Sequence, residues 1–219
     1  MSETKLTPAG LSAQMCARIA HDLISPIAAL GTAIEVLDDP DNADMHADAL
    51  ELVKLSARQA SGKLQFLRLA FGAGGSAPGV ISVAELQKLT DGIYGDAKAE
   101  VVWNADRDGI EKDAARLLLN LIMLGVQSVP RGGKVTILTR DIDEAFEMRL
   151  TCEGPKARLA DPVKLTLSGK MPEDGFDGRT IQPFYAGMIL RELGGKIAAG
   201  ADEDRVIFSA KIPLGSILA

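Results

Sequence analysis

The sequence predicts an α + α/β protein in two parts: an N-terminal antiparallel helical hairpin that forms a dimeric four-helix bundle, and a C-terminal α/β sandwich. Three observations predict it. Apolar positions recur in alternating steps of three and four through the first seventy residues, with no strand-like segment among them. The stretch Gly72 to Gly79, GAGGSAPG, has the composition of a linker. From Ile81 onward, helix-period and strand-period segments mix. The expected boundaries are a hairpin over 1–72, a linker over 73–80 and a sandwich over 81–219.

The first helix is expected from Ser12 to Leu37, where Ala13, Cys16, Ala20, Leu23, Ile27, Leu30, Ile34 and Leu37 form a heptad seam. A second run, Leu50, Val53, Ala57, Ala60, Leu64, Leu67 and Phe71, repeats the spacing. Between them Asp39 is placed to cap the second helix, with Pro40 in its first turn. A link this short makes the helices antiparallel neighbours. A lone hairpin has no third layer to cover its seam, so pairing with a second copy is expected.

In the second part Ser82 caps a helix reaching about Tyr94, and Glu100 to Trp103 reads as a short strand. A very apolar helix runs from Lys112 to about Gln127, ended by Pro130 and Gly132-Gly133. Strands follow at Lys134 to Arg140 and Glu147 to Cys152, joined by a turn over Asp141 to Glu144. Thr180 to Leu193 is a helix closed by Gly194-Gly195, and Lys196 to Ala199 pairs with Val206 to Ile212 as a closing hairpin. Pro162 to Gly175 carries no clear pattern. The sheet is expected to be mostly antiparallel.

Composition excludes several classes. Of 219 residues, 47% are hydrophobic and 25% charged, enough for a packed core. A net charge of -6 without a basic run argues against nucleic-acid binding, which relies on phosphate neutralisation. Two cysteines, Cys16 and Cys152, make neither a disulfide framework nor a zinc site. No charged n-region precedes an apolar run at the N-terminus. The longest apolar stretch noted, Leu117 to Val129, is shorter than the roughly 18 residues of a membrane span. A soluble, cytoplasmic protein with no membrane partner is expected. The Gly72, Gly74 and Ala77 spacing matches a dinucleotide fingerprint only formally, because a helix and not a strand precedes it.

His21 follows the seam residue Ala20 and so points away from the hairpin partner. Arg18 and Ser25 share its face, Asp22 lies beside it, and Pro26 should kink the helix. A neutral, exposed imidazole is a nucleophile near neutral pH. Asp22 is placed to hold one ring nitrogen, and Arg18 and Ser25 to meet phosphoryl oxygens or a docking partner. His46, four residues before Leu50, reads as a packed or loop-end histidine.

The string His21-Asp22-Leu23-Ile24-Ser25-Pro26-Ile27 resembles the phosphoacceptor box of sensor histidine kinases: His, acidic, Leu, two variable residues, Pro, apolar. The second part resembles their ATP-binding (Bergerat) domain. Asn120-Leu121-Ile122 and the Val126 to Gly133 segment match the asparagine-box helix and its turn, and the tail from Leu190 matches the last helix and strands. The nucleotide parts depart from that family. Leu124 stands where a second asparagine would bind magnesium. Cys152-Glu153-Gly154-Pro155-Lys156-Ala157 replaces the acidic-glycine box, and bulky Ile181-Gln182-Pro183-Phe184-Tyr185-Ala186-Gly187 replaces the glycine-rich run. Asn120 then reads as a packing group.

A kept phosphoacceptor with a degenerate nucleotide end resembles the ChpT family of alphaproteobacterial histidine phosphotransferases, over nearly the whole chain. The resemblance implies a homodimer that relays a phosphoryl group through a phosphohistidine at His21. The donor would be the receiver of a CckA-like hybrid kinase and the acceptors CtrA-like and CpdR-like response regulators. No cofactor would be bound by this chain, and the receiver partner would supply Mg2+. Two other readings stay open on sequence: an ATP-dependent histidine kinase with a divergent nucleotide site, and a non-catalytic dimeric adaptor.

Overall fold

The computed structural model describes residues 6–72, 78–173 and 175–217. Most of the linker segment, 73–77, and the first five residues lie outside that range. Helix α1 spans Pro8–Asp38, four residues earlier than the seam alone suggests, because Thr7 caps it: the Thr7 hydroxyl accepts from the Gly10 N–H at 3.0 Å, and Pro8 sets the first turn. Asp39 caps a 3₁₀ segment, Pro40–Met45, by accepting from Asp41 N–H at 3.0 Å. Helix α2, His46–Ala70, follows that segment directly, so Asp39 caps the turn before the second helix and not the helix itself. The two helices pack as an antiparallel pair.

The seam is wider than one heptad row. On α1 the residues buried in the monomer are Met15, Pro26 and Ala33, and on α2 they include Ala49, Ser56, Phe66, Leu67 and Ala70. Leu23, Leu30, Leu37, Val53, Ala60 and Leu67 of the expected seam are sheltered. Ala13, Ala20, Ile27 and Ile34 on α1, with Leu50, Ala57 and Leu64 on α2, face outward at seven-residue intervals. The expected seam thus straddles an inner row and an outer one. The same wide apolar stripe corrects the expectation about membrane-length segments: α1 is long and apolar enough to cross a membrane by length and composition. His21, Asp22 and Glu35 interrupt the stripe, so it forms no unbroken apolar run.

After the hairpin, β1 (Val80–Ser82) pairs antiparallel with β3 (Gly109–Glu111), and α3 (Val83–Tyr94) starts from Ser82, whose hydroxyl accepts from Glu85 N–H at 3.1 Å. The main sheet has five strands in the order β2-β4-β5-β7-β6: β2 (Ala99–Ala105), β4 (Gly133–Ile142), β5 (Ala145–Glu153), β7 (Arg205–Pro213) and β6 (Lys196–Asp202). Only β2 and β4 run parallel, since α4 (Lys112–Ser128) crosses over between them. The short strands β1 and β3 and helix α5 (Asp161–Leu167) have no counterpart in the sequence reading. Helix α6 spans Ile181–Glu192, and a final turn, α7, covers Leu214–Ile217.

Strand alternation puts Val135, Ile137, Phe146, Met148, Leu150, Val206, Phe208 and Ala210 on the face covered by helices. Helix α4 is buried nearly all round, which is why its sequence is apolar on every face. The core does not stop at the sheet: Phe66, Leu67 and Ala70 at the end of α2 belong to it. Phe66 meets Tyr94 edge-on at 5.9 Å, and a Cβ on Gly62 would run into the Gly92 carbonyl, so α2 and α3 cross at backbone contact. The base of the hairpin is therefore built into the second part.

Candidate functional site

His21 sits in the first half of α1 with its side chain 83% exposed. Its Nδ1 lies 3.3 Å from Asp22 Oδ1, and among the described residues Nε2 has no protein partner. Asp22 is shared. Its other oxygen, Oδ2, accepts from Arg18 Nε at 2.9 Å, one turn back along the helix. Arg18 is only 13% exposed, because its Nη1 also donates to the carbonyl of Gly178, 160 residues away in sequence. Ser25, one turn beyond His21, is exposed, and its hydroxyl makes no protein hydrogen bond among the described residues.

Gly178 is held in place by its neighbours. Asp177 Oδ1 accepts from the N–H groups of Arg179 at 2.9 Å and Thr180 at 2.8 Å, and from the Thr180 hydroxyl at 2.6 Å. The Thr180 hydroxyl bond, with those main-chain donors and the Arg179 charge, holds the Asp177 carboxyl below its usual range against the pull of burial. Behind the Arg18–Asp22 pair stands Tyr94. Burial pushes its phenol well above the usual range, the Asp22 charge pushes the same way, and Arg18 opposes both.

Proline at position 26 removes the N–H that would otherwise bond to the Asp22 carbonyl one turn back. Lys63 of α2 takes its place, donating from Nζ to that oxygen at 3.1 Å. The sequence reading missed Lys63. The available signal was indirect: a helical proline announces an unpartnered carbonyl four residues earlier, but not which side chain answers it.

His21 lies at the mouth of a cleft of about 640 Å³ whose other walls come from α4, α5 and the Asp177–Arg179 loop. Arg158 and Arg179 line it, both exposed, and among the described residues neither guanidinium is in an ion pair. The wall residues include Leu124, Gln127 and Ser128 of α4.

The asparagine-box residue faces the other way. Asn120 is fully buried; its Nδ2 donates to the carbonyls of Ala70 at 2.7 Å and Arg116 at 2.9 Å, and its Oδ1 accepts from Gln182 Nε2 at 3.0 Å. Leu124 is buried against the core. Ile181 to Gly187 forms the opening turns of α6, not an open phosphate loop, and a Cβ on Gly187 would strike the Leu167 carbonyl of α5. Burial pushes the Cys152 thiol up to about 11. No group of three or more His, Cys, Asp or Glu side chains that could hold a metal ion occurs among the described residues. His46 opens α2, with Nε2 3.4 Å from the Asp39 carbonyl, and takes no part in the site.

An exposed histidine braced by a carboxylate, carried on a helical hairpin whose base is fused to an α/β sandwich, is an arrangement suited to accepting and passing on a phosphoryl group. The family described as histidine phosphotransferase C-terminal domain matches residues 83–205, and the class is that of a phosphotransferase. The chain is 35% identical to "Protein phosphotransferase ChpT" of Brucella abortus (strain 2308), covering 94% of this chain and 97% of the relative. A solved structure titled "1.7 Angstrom Structure of a Bacterial Phosphotransferase" matches with a TM-score of 0.83 and 33% identity, covering 94% of this chain and 98% of that one. The chain belongs to the ChpT-type histidine phosphotransferase family.

Proposed function

We propose that His21 is the phosphoacceptor of a relay between receiver-domain aspartates. The observation that carries this reading is the state of the imidazole: Nδ1 beside Asp22, Nε2 open to solvent. With its proton on Nδ1 and donated to Asp22, the ring presents the Nε2 lone pair. Attack on a receiver's aspartyl phosphate breaks the aspartate O–P bond and forms the Nε2–P bond. The Nδ1 proton stays, and Asp22 offsets the positive charge that the ring acquires. The reverse step delivers the group to the next aspartate. Such a transfer passes through a loose transition state that needs alignment and charge neutralisation more than covalent help. The receiver's acidic pocket supplies the Mg2+. Ser25 and the cleft arginines face the incoming partner.

The partners inferred are a CckA-like hybrid kinase receiver as donor and CtrA-like and CpdR-like regulators as acceptors. A second copy of this chain covers the outward apolar row. Ile27 is 56% and Leu64 53% exposed, a waste of apolar surface that a four-helix bundle removes. ATP is not a substrate in this reading. Its support is that Asn120 is engaged by Ala70 and Gln182, Leu124 is apolar, and α6 begins with bulky residues.

The test is intact mass after incubation with a phosphorylated receiver and Mg2+, beside His21→Ala. One acid-labile phosphoryl on the wild type alone is expected. No gain with several receivers sinks the relay, and labelling from ATP then separates a kinase from an adaptor.

A further inference from the structure

We propose that Lys63 is a positioning residue for phosphotransfer, acting through the Asp22 carbonyl that Pro26 leaves without a main-chain donor. The inference rests on the reading of His21 as phosphoacceptor. Pro26 has two effects on α1. It lacks the N–H that would close the helical bond to Asp22, and its ring crowds that same carbonyl. A carbonyl so exposed normally tilts outward to water and lets the helix bend. Here the oxygen is turned toward α2 and is partly buried, and Pro26 itself is buried on the same side. Lys63 Nζ reaches it at 3.1 Å across the hairpin.

This bond sets the local path of α1 at the residue next to His21. The Asp22 side chain leaves the same residue whose carbonyl is held. Fixing that peptide fixes the carboxylate that spans Arg18 and His21. Lys63 thus holds the main chain of Asp22 while Arg18 holds its side chain. Remove the ammonium and the peptide next to His21 loses the only cross-helix tie it makes among the described residues. The imidazole stays exposed, but its orientation toward an in-line donor is no longer set.

The discriminating experiment is a double-substitution cycle on the full chain. The rate of phosphoryl transfer from a phosphorylated receiver is measured for wild type, Lys63→Met, Pro26→Ala and the double variant. His21→Ala serves as the blank. Loss of one half-buried partner and of alignment should slow Lys63→Met about tenfold. Pro26→Ala restores the N–H at position 26, so Lys63→Met added to it should cost less than about twofold. Lys63→Arg, which can still donate, should retain most of the wild-type rate. Equal losses from Lys63→Met in both backgrounds would overturn the proposal, as would no loss in either. The Asp22 carbonyl 13C shift, read by NMR in the unphosphorylated protein, reports the clamp directly. It should move in Lys63→Met and stay put when the same change is made in Pro26→Ala. A carbonyl shift indifferent to Lys63 defeats the clamp. Absence of His21-dependent labelling in the wild type defeats instead the relay reading on which it rests.

Discussion

Asn120 donates its side-chain amide to the carbonyl of Ala70 at 2.7 Å, fastening the last turn of α2 to the middle of α4. A residue type that binds magnesium in the kinases resembled by the sequence here ends a helix and, through Gln182, ties in α6. Asn120→Leu should therefore act on stability. It leaves the Ala70 carbonyl without a partner, at a cost of about 1–3 kcal/mol for a buried unsatisfied group, while Gln182 Nε2 keeps its bond to the main-chain carbonyl of residue 120. Urea unfolding reads this as a lower midpoint at unchanged slope. A variant as stable as wild type would show that the tie has no energetic weight.

Asp22→Asn keeps the size of the side chain and removes its charge. The proposed transfer passes through a positively charged ring, which an amide stabilises less than a carboxylate. Phosphohistidine formation should slow by roughly tenfold or more while the melting temperature changes little. Quenched-flow transfer with a labelled receiver measures it. An unchanged rate would remove Asp22 from the mechanism.

Arg18→Ala cuts two links at once, to Asp22 and to Gly178. The second is a direct bond from α1 to the loop that leads into α6. Hydrogen exchange over residues 175–180 should speed up, along with the 18–26 region. Exchange that rises only around His21 would mean the loop is held by Asp177 and Thr180 alone.

Ile27→Asp combined with Leu64→Asp puts two carboxylates into the outward apolar row on adjacent helices. Sedimentation should show a dimer for the wild type and a folded monomer for the variant. A variant that remains dimeric would place the contact elsewhere.

Glu147 is 1% exposed on the sheet face away from the helices, hydrogen-bonded to Arg140 at 2.8 Å and to Arg149 and Ser209 at 3.3 Å. Burial alone would raise its carboxyl, but these bonds and the two arginine charges outweigh burial and hold it below the ordinary value of 4.5. A depressed folded value means stability that is complete above the ordinary pKa and is lost as pH falls through the folded one. Glu147→Gln should thus be less stable than wild type at neutral pH, with the gap closing below about pH 4.5. A gap of constant size across that range would rule out the linkage.

Much of this architecture was legible in the sequence because its periods are clean. Ser82 as a cap, the apolar run of α4 and the alternation in β4 and β5 each name their own element. What was not legible depends on contacts distant along the chain. The heptad count cannot say which of two adjacent rows meets the chain's own second helix, so Ile27 and Leu30 looked equivalent although one faces out and the other is sheltered. Arg18 reads as a surface residue until Gly178 arrives from 160 positions away. Strands of three residues such as β1 and β3 offer too few alternations to register. The histidine itself was visible; the lysine behind it was not.

The bond from Arg18 to Gly178 has a kinetic corollary for the proposed relay. It holds the sandwich beside His21, so donor and acceptor must both reach the one open Nε2 past the same cleft. Donor and acceptor must then take turns, each leaving before the other enters. Turnover would follow a ping-pong rate law, with unphosphorylated donor competing against the acceptor, and the flux of the whole pathway would be throttled by how fast spent partners let go.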